Sequence, residues 1–577
     1  MMIQLLKNHK WAVILALAAV IITVSPQVYF RYDHQDIYQG IELIGGTEKM
    51  PRVREVQDGH LPPTSSPYLK EGKEDPYIRP PLNAIIIGYL GKVFSLDFNN
   101  TILLSRLLFP FLLFLIIYGF VFLLSQDKLA ALTSSLMIFL GRELISRNGF
   151  WQLWQGAGGD DFLPFFRPVV SSLIALFFFA FLLFFWLFWE RRQWRWGILS
   201  LAVLGTTFYE YFYTWTFLYA FLGAFLLILV WLKRWSDFKR ILLIFWGGAL
   251  MGIPYFWNLY QASLHPNYQE VTRRYGLIES RQFLLGFLVF LVLAVFLLFF
   301  PRKWRERYYF CLALLMAPFI ALNQQLITGK MVQSGHYHWH FHIPLAIIFL
   351  LVIFFAWVSG RKWSFFRKAS AVFLIGINFY AGIFFQSVSY TAVENEMVEN
   401  QRYGPVMDWL NQNARKDEVV FANADTSHLV VIYTPLNVFY HLGEGINCLA
   451  VSHQRALDAL FSFYRLKGVK KEEAQKVFFE DRGEISHRVY GLYYRELTGS
   501  YKGIPDEKIQ EIVQKYRESF SVSDSEFLRQ IFDQYQVKYA VWDKKQDPAW
   551  QLDRYPFLKK RAEIGDFILY ENFSSHQ

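Results

Sequence analysis

Four histidines alternate with aromatic residues in one short segment of the sequence, GHYHWHFHIP. They are His336, His338, His340 and His342. On a strand all four would share one face, whereas on a helix they would form two pairs spaced four residues apart. Imidazole rings bind metal ions, and they also donate hydrogen bonds to phosphate groups. We therefore treat the segment as a candidate ligand site, with an aromatic belt at a membrane interface as the alternative.

Two cations near apolar segments are candidates for binding a phosphate. Arg167 stands in FFRPVV, where the chain re-enters an apolar run, and Lys330 follows Thr328 and Gly329 just before the histidines. A guanidinium binds phosphate through two parallel hydrogen bonds. The alternative for Arg167 is an aliphatic stem lying along the membrane with its charge in the headgroups.

Carboxylates are concentrated in the polar segment 29–81. They are Asp33, Asp36, Glu42, Glu48, Glu55, Asp58, Glu71, Glu74 and Asp75. A carboxylate beside a low-dielectric surface can have a raised pKa and act as a general base. Asp33 and Asp36, together with His342, are candidates for holding Mg²⁺ or Mn²⁺, and Asp160 and Asp161 are a weaker metal pair. A solvated acidic loop is the alternative for each of these residues.

The elements that position these residues follow from composition. Of 577 residues, 54% are hydrophobic and only 18% are charged, against about 45–50% and about 25% in soluble domains. Mean hydropathy is +0.21, although the last third reads as soluble sequence. Composition therefore excludes a soluble enzyme, a disordered chain and a fibrous repeat, and the two cysteines provide no disulfide framework. We predict a polytopic α-helical membrane protein with one attached domain.

Apolar runs of roughly spanning length predict about eleven transmembrane helices. They lie near 11–28, 101–124, 129–144, 168–189, 197–213, 214–232, 241–258, 282–300, 308–325, 341–359 and 369–388. Basic segments between them fall on one side, which the positive-inside rule places in the cytoplasm. If the short apolar run 82–96 also crossed the membrane, every later basic segment would face outward, so we expect an interfacial helix there.

The net charge of +10 separates into two parts of opposite sign. Residues 1–388 carry a net charge of +14, and residues 389–577 carry −4. The positive charge lies in short segments between apolar runs, which favours membrane topology over a nucleic-acid partner. We predict a transmembrane domain over 1–388 with a large outer loop at 29–81, a cytoplasmic N-terminus, and an extracytoplasmic domain over 389–577.

The C-terminal segment alternates helix and strand patterns, which predicts an α/β domain. Strands are predicted at 418–423, 437–441 and 537–543, and two more close the chain. A polar turn is predicted at 424–428, and a helix at 522–534 with a serine N-cap. The sequence contains no glycine-rich nucleotide motif and no nucleophile elbow, so we expect a binding or docking module.

The order of motifs in the first 125 residues resembles the GT-C superfamily of polytopic glycosyltransferases, which includes protein mannosyltransferases, lipid A aminoarabinose transferases and oligosaccharyltransferase catalytic subunits. The motifs are Arg54-Glu55-Val56, Asp58-Gly59-His60, Arg79-Pro80-Pro81-Leu82, the helix 83–96 and Ser105-Arg106-Leu107. Beyond these residues the resemblance is one of topology.

This resemblance implies transfer of a hexosyl or pentosyl group, with inversion, from a polyprenyl-phosphate-linked donor. The acceptor would be a glycan, a lipid or a protein at the outer face of the plasma membrane. Arg54, Arg79 and Arg106 would then contact substrate, together with the phosphate candidates above, and no nucleic acid takes part.

The catalytic base is the point at which the chain departs from the family pattern. The family has an acidic pair a short distance before the Arg-Glu, where this chain has Gly45-Gly46-Thr47-Glu48. Glu48 is the nearest carboxylate, so Glu48 takes the role, Asp33 and Asp36 take it, or the chain is inactive. The alternatives to an enzyme are a membrane scaffold displaying the C-terminal domain and a transporter of a lipid precursor.

Overall fold

The computed structural model describes residues 9–61, 64–156, 162–301, 304–361, 363–442 and 445–573. Asp160 and Asp161, which the sequence suggests as a weak metal pair, lie outside the described residues. An apolar helical bundle comes first in the chain, and a domain containing a mixed sheet follows it.

Helices form most of the first 400 residues, because long apolar side chains there pack between neighbouring helices. Their bounds are α1 (Lys10–Asp33), α2 (Met50–Gln57), α3 (Leu82–Val93), α4 (Phe98–Ser125), α5 (Lys128–Phe139), α6 (Arg147–Gln155), α7 (Ser171–Arg191), α8 (Trp194–Thr207), α9 (Phe212–Trp231), α10 (Trp235–Met251), α11 (Ile253–Ser263), α12 (Tyr268–Arg274), α13 (Phe287–Phe299), α14 (Arg305–Leu322), α15 (Gln325–Thr328), α16 (Ser334–Tyr337), α17 (Ile343–Gly360) and α18 (Ser364–Asn400). A short two-stranded ladder, β1 (Ile278–Glu279) with β2 (Lys330–Met331), joins two of the connections.

Each of the eleven predicted apolar runs contains a helix of this bundle: α1, α4, α5, α7, α8, α9, α10, α13, α14, α17 and α18. Within the described ranges, seven helices are long and apolar enough to cross a membrane individually, or eight when the bent pair α10–α11 counts as one span. Helices α5 and α13 are apolar but shorter. The prediction of a polytopic α-helical membrane protein is confirmed.

The basic connections meet at one end of the bundle. Arg234 donates to both carboxylate oxygens of Glu306 at 2.8 Å, which joins the start of α10 to the start of α14. Arg367 pairs with Asp127 at 2.8 Å and joins α18 to the start of α5. Because these turns cluster together, the bundle has one basic end and an opposite end that carries the long loops.

At that opposite end, the loops are held by Arg106 of α4, which is only 2% exposed. Its Nε donates to the backbone oxygen of Phe166 at 2.8 Å, and its two terminal nitrogens donate to Gln27 at 2.7 Å and to the oxygen of Ile44 at 2.6 Å. The expectation that Arg106 contacts substrate is therefore wrong. All three of its donor nitrogens are occupied in the interior, where they fix the first loop to α1 and α4.

The run 82–96 forms α3, which ends at Val93 and stays at the loop end of the bundle. It packs against α2 so closely that a Cβ on Gly88 would stand 2.5 Å from the Val56 side chain. Asp97 then caps the N-terminus of α4 by accepting from the backbone N–H of Asn100. Because α3 stays at the loop end and does not cross the bundle, the basic connections can all lie at the opposite end.

The C-terminal domain contains the predicted helix and strand alternation. Its helices are α19 (Gly404–Asn413), α20 (Ala424–Tyr433), α21 (His453–Leu466), α22 (Ala474–Glu480), α23 (Arg482–Tyr490), α24 (Tyr493–Thr498), α25 (Asp506–Glu518) and α26 (Asp524–Gln534). Its strands are β3 (Val419–Phe421), β4 (Asn437–Val438), β5 (Val537–Asp543), β6 (Leu558–Ile564) and β7 (Phe567–Asn572). The sheet order is β4-β3-β5-β7-β6, parallel over the first three strands and antiparallel over the last three.

Two local features of this domain differ from expectation. The segment 424–428, predicted as a polar turn, begins α20, because the Asn423 side chain caps that helix by accepting from the N–H of Thr426 at 2.9 Å. Helix α18 also continues without a break to Asn400, across the position 388/389 at which the sequence suggests a domain boundary. The predicted serine cap of α26 is present at Ser523.

The first loop and the C-terminal domain pack against each other at the loop end. Thr47 and His428 are joined by a hydrogen bond of 2.7 Å, and the rings of Tyr68 and His441 stack at 4.3 Å. Arg274 of α12 donates to two backbone oxygens of the domain at 2.6 and 3.0 Å. The loop is therefore held between the bundle and the domain.

The contacts of Arg106 generate the first prediction. Arg106→Met would leave three buried acceptors without their donor, so we expect a loss of about 3–5 kcal/mol in the free energy of unfolding. Thermal unfolding of the purified protein in detergent measures this loss. Arg54→Met is the matched control, since the partly exposed Arg54–Asp58 pair contributes about 1 kcal/mol or less. Equal unfolding temperatures for the two variants would contradict the assigned role of Arg106.

Candidate active site

Two consecutive glycines bring the first loop against the segment that precedes α7. Gly45 and Gly46 have φ angles of +76° and +81°, which favour glycine. A Cβ on Gly45 would stand 2.6 Å from the Phe166 ring, and one on Gly46 would stand 2.5 Å from Nε of Arg167. The close approach places the next residues of the loop, including Glu48, beside Arg167.

Glu48 is the carboxylate at this point. Its Oε1 lies 3.3 Å from Nη2 of Arg167, and both side chains are about half exposed. Its backbone oxygen accepts from the Tyr68 hydroxyl at 2.9 Å. Burial acts to raise the pKa of Glu48, but Arg167, the backbone and Lys49 together lower it below its usual value. The raised pKa expected of a loop carboxylate is not found here, because cations surround the group.

Lys49 is the group that the sequence reasoning missed. Burial, together with repulsion from Arg79, Arg52 and Arg167, lowers the pKa of Lys49 well below its usual range, and Glu48 alone among its main charged neighbours opposes this. Four cations thus share their surroundings with one carboxylate. A region with such an excess of positive charge attracts anions.

Arg79 is held in place from two sides. Its guanidinium lies over the Tyr275 ring, 4.4 Å from the ring centre. Its backbone oxygen accepts from the buried Arg52 side chain at 3.2 Å. These contacts fix the position of Arg79, for which a substrate contact remains a prediction, and Arg52, which the sequence did not single out, is the residue that holds its backbone.

The histidine segment lies next to this charged region, and the cleft below denotes Glu48, Lys49, Arg79, Arg167, His336 and His340 together. Nδ1 of His336 lies 2.5 Å from the Tyr211 hydroxyl, and its Nε2 lies 2.6 Å from the side-chain oxygen of Gln333. The Gln333 amide in turn donates to the backbone oxygen of Tyr275 at 3.1 Å. Because Tyr275 also supports Arg79, this chain of contacts connects the first loop to the histidines.

The four histidines form two pairs, as the helical alternative requires. The rings of His336 and His340 are nearly parallel with centres 6.3 Å apart, and those of His338 and His342 are 6.2 Å apart. A π-helical turn over 338–342 widens the helix at this point, a feature that is frequent at functional sites. His340 also borders Tyr211, so the first pair faces the cleft.

The predicted metal set of Asp33, Asp36 and His342 is not assembled. His342 is buried among apolar side chains of α13, α14 and α17. Asp36 is exposed. In the described part of the chain, the one group of three potential ligands is Asp33 with His34 and Glu394. This group is not the predicted one, because it lacks Asp36 and His342. Among the described residues, neither Asp33 nor Asp36 contacts Arg167.

Two further predicted substrate contacts lie away from the cleft. Arg54 is paired with Asp58 on the same helix at 3.1 Å. Lys330 is exposed on β2, where its backbone pairs with Glu279. The cleft therefore contains Glu48, Arg79, Arg167, His336 and His340 from the predicted set.

Glu210 is a buried carboxylate at the turn between α8 and α9. It accepts from Asn83 of α3 at 3.0 Å and from Thr214 at 2.9 Å. Burial raises the pKa of Glu210 to about 8. Its neighbour Tyr209 accepts from the N–H of Leu82 at 2.9 Å. The turn is thereby attached to α3, which positions Tyr211 against the histidines.

Comparison with known proteins finds similarity only at the level of solved structures. No protein-family model and no curated protein sequence matches the chain. The chain is similar to the crystal structure of ArnT from Cupriavidus metallidurans bound to undecaprenyl phosphate, with 13% identity, a TM-score of 0.48 and coverage of 98% of both chains. The same protein in the apo state gives 12% identity, a TM-score of 0.49 and coverage of 99% of both chains.

Glu210 generates a prediction on pH dependence. Because its pKa is raised to about 8 in the folded protein, the neutral form is favoured, and its contribution to stability is lost as pH rises from about 5 to 8. We expect Glu210→Gln to gain stability relative to the natural protein by up to about 1.4 kcal/mol per pH unit in this window. Unfolding temperatures in detergent at several pH values measure it.

The control for this experiment is Glu306→Gln, at a half-exposed carboxylate of the basic end. It should leave the pH dependence of the unfolding temperature unchanged. A difference between Glu210→Gln and the natural protein that stays constant from pH 5 to 8 would show that Glu210 ionises normally in the fold.

Proposed function

We propose that this chain is a membrane glycosyltransferase that moves a hexosyl or pentosyl group from a polyprenyl-phosphate-linked donor to an acceptor hydroxyl. The observation that carries the proposal is that Glu48 lies beside Arg167 and shares its surroundings with Lys49 and Arg79, at one end of an apolar helical bundle. A carboxylate base beside a cationic cluster at the end of the apolar bundle suits a substrate whose phosphate lies among the lipid headgroups and whose hydrocarbon tail lies in the bilayer.

In this proposal the donor phosphate binds among the three cations. Two of them are arginines, whose guanidinium groups bind phosphate oxygens through two hydrogen bonds. Lys49, partly buried and repelled by its neighbours, gains most from an incoming anion. His336 and His340 close the other side of the cleft, where they face the sugar.

The reaction proposed is a single displacement with inversion at the anomeric carbon. The acceptor hydroxyl transfers its proton to the carboxylate of Glu48 while its oxygen forms the new bond to that carbon. The bond from the carbon to the phosphate oxygen breaks, and its electron pair leaves with the polyprenyl phosphate. The added negative charge develops beside Lys49, Arg79 and Arg167, which stabilise it. No step is routed through a metal ion.

The proposed orientation follows from the two ends of the bundle. The basic end faces the cytoplasm, as arginine- and lysine-rich connections do, and the cleft faces the outside of the plasma membrane. Undecaprenyl phosphate, the lipid named with one of the similar structures, is the probe that we choose for the donor lipid. The acceptor, whether a glycan, a lipid or a protein, must present a hydroxyl group that reaches Glu48.

The scaffold alternative predicts no cavity between the first loop and the histidine segment, and carboxylates that point into solvent. The contacts from Arg79 through Tyr275 and Gln333 to His336 connect them instead. We therefore favour the enzyme.

The role of Glu48 is tested by Glu48→Gln, which keeps the size of the side chain and removes the proton acceptor. We expect release of undecaprenyl phosphate from undecaprenyl-phosphate-linked hexose and pentose donors to fall at least 100-fold, within the range of about 10²–10⁴ for loss of a general base. Binding of undecaprenyl phosphate should persist. The measurement is product formation in proteoliposomes, with affinity measured in parallel.

Asp33→Asn is the matched control, since Asp33 is a carboxylate of the same loop that is 41% exposed and lies near His34 and Glu394. It should retain at least half of the natural rate. If Asp33→Asn is inactive and Glu48→Gln is active, the base belongs to the start of the loop and our assignment fails.

Lys49 provides a test of phosphate binding. The pKa of Lys49 is well below the usual range in the free protein, and a bound phosphate dianion raises it. At a pH between these two pKa values, ligand binding is therefore coupled to the uptake of one proton. Affinity for undecaprenyl phosphate should therefore fall as pH rises through that window, by up to about tenfold per pH unit. Binding in lipid nanodiscs over a series of pH values below the usual lysine range measures this dependence.

In Lys49→Gln, affinity should be weaker and this pH dependence should be lost. Lys330→Gln, at an exposed lysine of the same end of the bundle, should behave as the natural protein does. An unchanged pH dependence in Lys49→Gln would place the lipid phosphate elsewhere.

A further inference from the structure

A separate cavity of about 600 Å³ opens in the C-terminal domain, between α20, α21, α23 and the segment after β5. Its volume is within the range of about 300–1,000 Å³ that is usual for small-molecule sites. Its charged lining residues are Asp425, Lys467, Asp481, Glu484, Arg488 and Asp547. Within the described residues, none of these lining groups contacts the cleft around Glu48.

The polar groups of this cavity are held in fixed positions. Asn423 donates to Asp547 at 2.7 Å, and its own oxygen caps α20. Tyr464 donates to Asp481 at 2.8 Å. Each carboxylate oxygen accepts more than one hydrogen bond, so both acids keep acceptor capacity for the hydroxyl groups of a ligand.

Aromatic rings form the apolar part of the lining. The rings of Phe463 and Trp550 stack with centres 5.9 Å apart. Trp550 is 1% exposed, and its Nε1 has no hydrogen-bond partner among the described residues. A buried donor without a partner costs stability, and an acceptor on a bound ligand would offset that cost.

The charge of the lining restricts the class of ligand. Four carboxylates stand against one lysine and one arginine, and Arg488 already pairs with Glu484 at 2.6 Å. The cavity therefore disfavours an anion, in contrast to the cationic cleft at Glu48. Fixed acceptors grouped in one small cavity match a sugar, which presents many hydroxyl donors on one small molecule.

We propose that this cavity is a carbohydrate-binding site for neutral or amino-substituted glycans, independent of the transfer reaction at Glu48. The carboxylates and amides bind the hydroxyl or ammonium groups of the glycan. Binding here involves no covalent step, and it gives the C-terminal domain a role of its own in holding a glycan at the loop end of the protein.

The test uses the full-length protein in nanodiscs on a printed array of neutral, amino-sugar and acidic glycans. We expect neutral or amino-sugar glycans to bind at least tenfold more strongly than acidic glycans of the same length. The glycan with the strongest signal is then titrated calorimetrically. An array with no bound glycan, or with acidic glycans preferred, overturns the proposal.

Two variants locate the binding. Ala424→Phe fills the cavity without removing a charge, and Asp425→Asn removes one carboxylate at its edge; we expect each to weaken glycan binding at least fivefold. Asp408→Asn, at an exposed acid of α19 outside the cavity lining, is the matched control and should bind normally. Glycan binding that both cavity variants retain overturns the assignment.

All three variants should keep the unfolding temperature and the undecaprenyl phosphate affinity of the natural protein, because they lie outside the cleft. A cavity variant that unfolds at a lower temperature is replaced by Ala424→Leu, which fills less space. Failure of the glycan test leaves the transfer reaction untouched, and inactive Glu48 variants leave glycan binding untouched, so the two proposals fail separately.

Discussion

The repulsion among the cations at the loop end is the interaction on which the rest of this structure depends. Lys49, Arg79 and Arg167 would separate in an unrestrained loop, because like charges near a low-dielectric bundle repel strongly. The fold opposes this with contacts that are mostly uncharged, such as the Tyr275 ring below Arg79. Glu48 neutralises only part of the charge. An anion bound here would relieve the repulsion that remains.

The same constraint explains why the first loop needs a domain far away in the sequence. A long polar loop has little apolar surface with which to order itself. Here Arg106 holds the first part of the loop against the bundle through the backbone oxygen of Ile44. The stacked rings of Tyr68 and His441 hold a later part of the loop against the C-terminal domain. Arg274 attaches a second loop to the same domain through backbone oxygens. Loss of the domain would therefore free the loop that carries Glu48, even though no residue of the domain takes part in the proposed chemistry.

Sequence patterns predicted more of the fold than of the candidate site. Apolar runs and basic turns indicate helices and their alternation directly, because lipid and water impose these patterns on each helix separately. Arg106 and Arg167 look alike in sequence, each beside an apolar run, yet Arg106 is 2% exposed whereas Arg167 is 59% exposed and pairs with Glu48. Lys49 was missed because its effect depends on arginines distant in the chain. In the same way, the polar run after Asn423 resembled a turn but is the capped start of α20.

The two hollows at the loop end have opposite charge, and this difference separates what each can hold. The cleft gathers cations around a single carboxylate, whereas the domain cavity gathers carboxylates around aromatic rings. One hollow with both sets of groups would neutralise itself through internal ion pairs, and it would bind neither a phosphate nor a neutral glycan well. Placing them in separate parts of the fold keeps each set available to its ligand. Under the two proposals above, one site takes a charged lipid carrier and the other a neutral or amino-substituted glycan, and this separation suits both ligands.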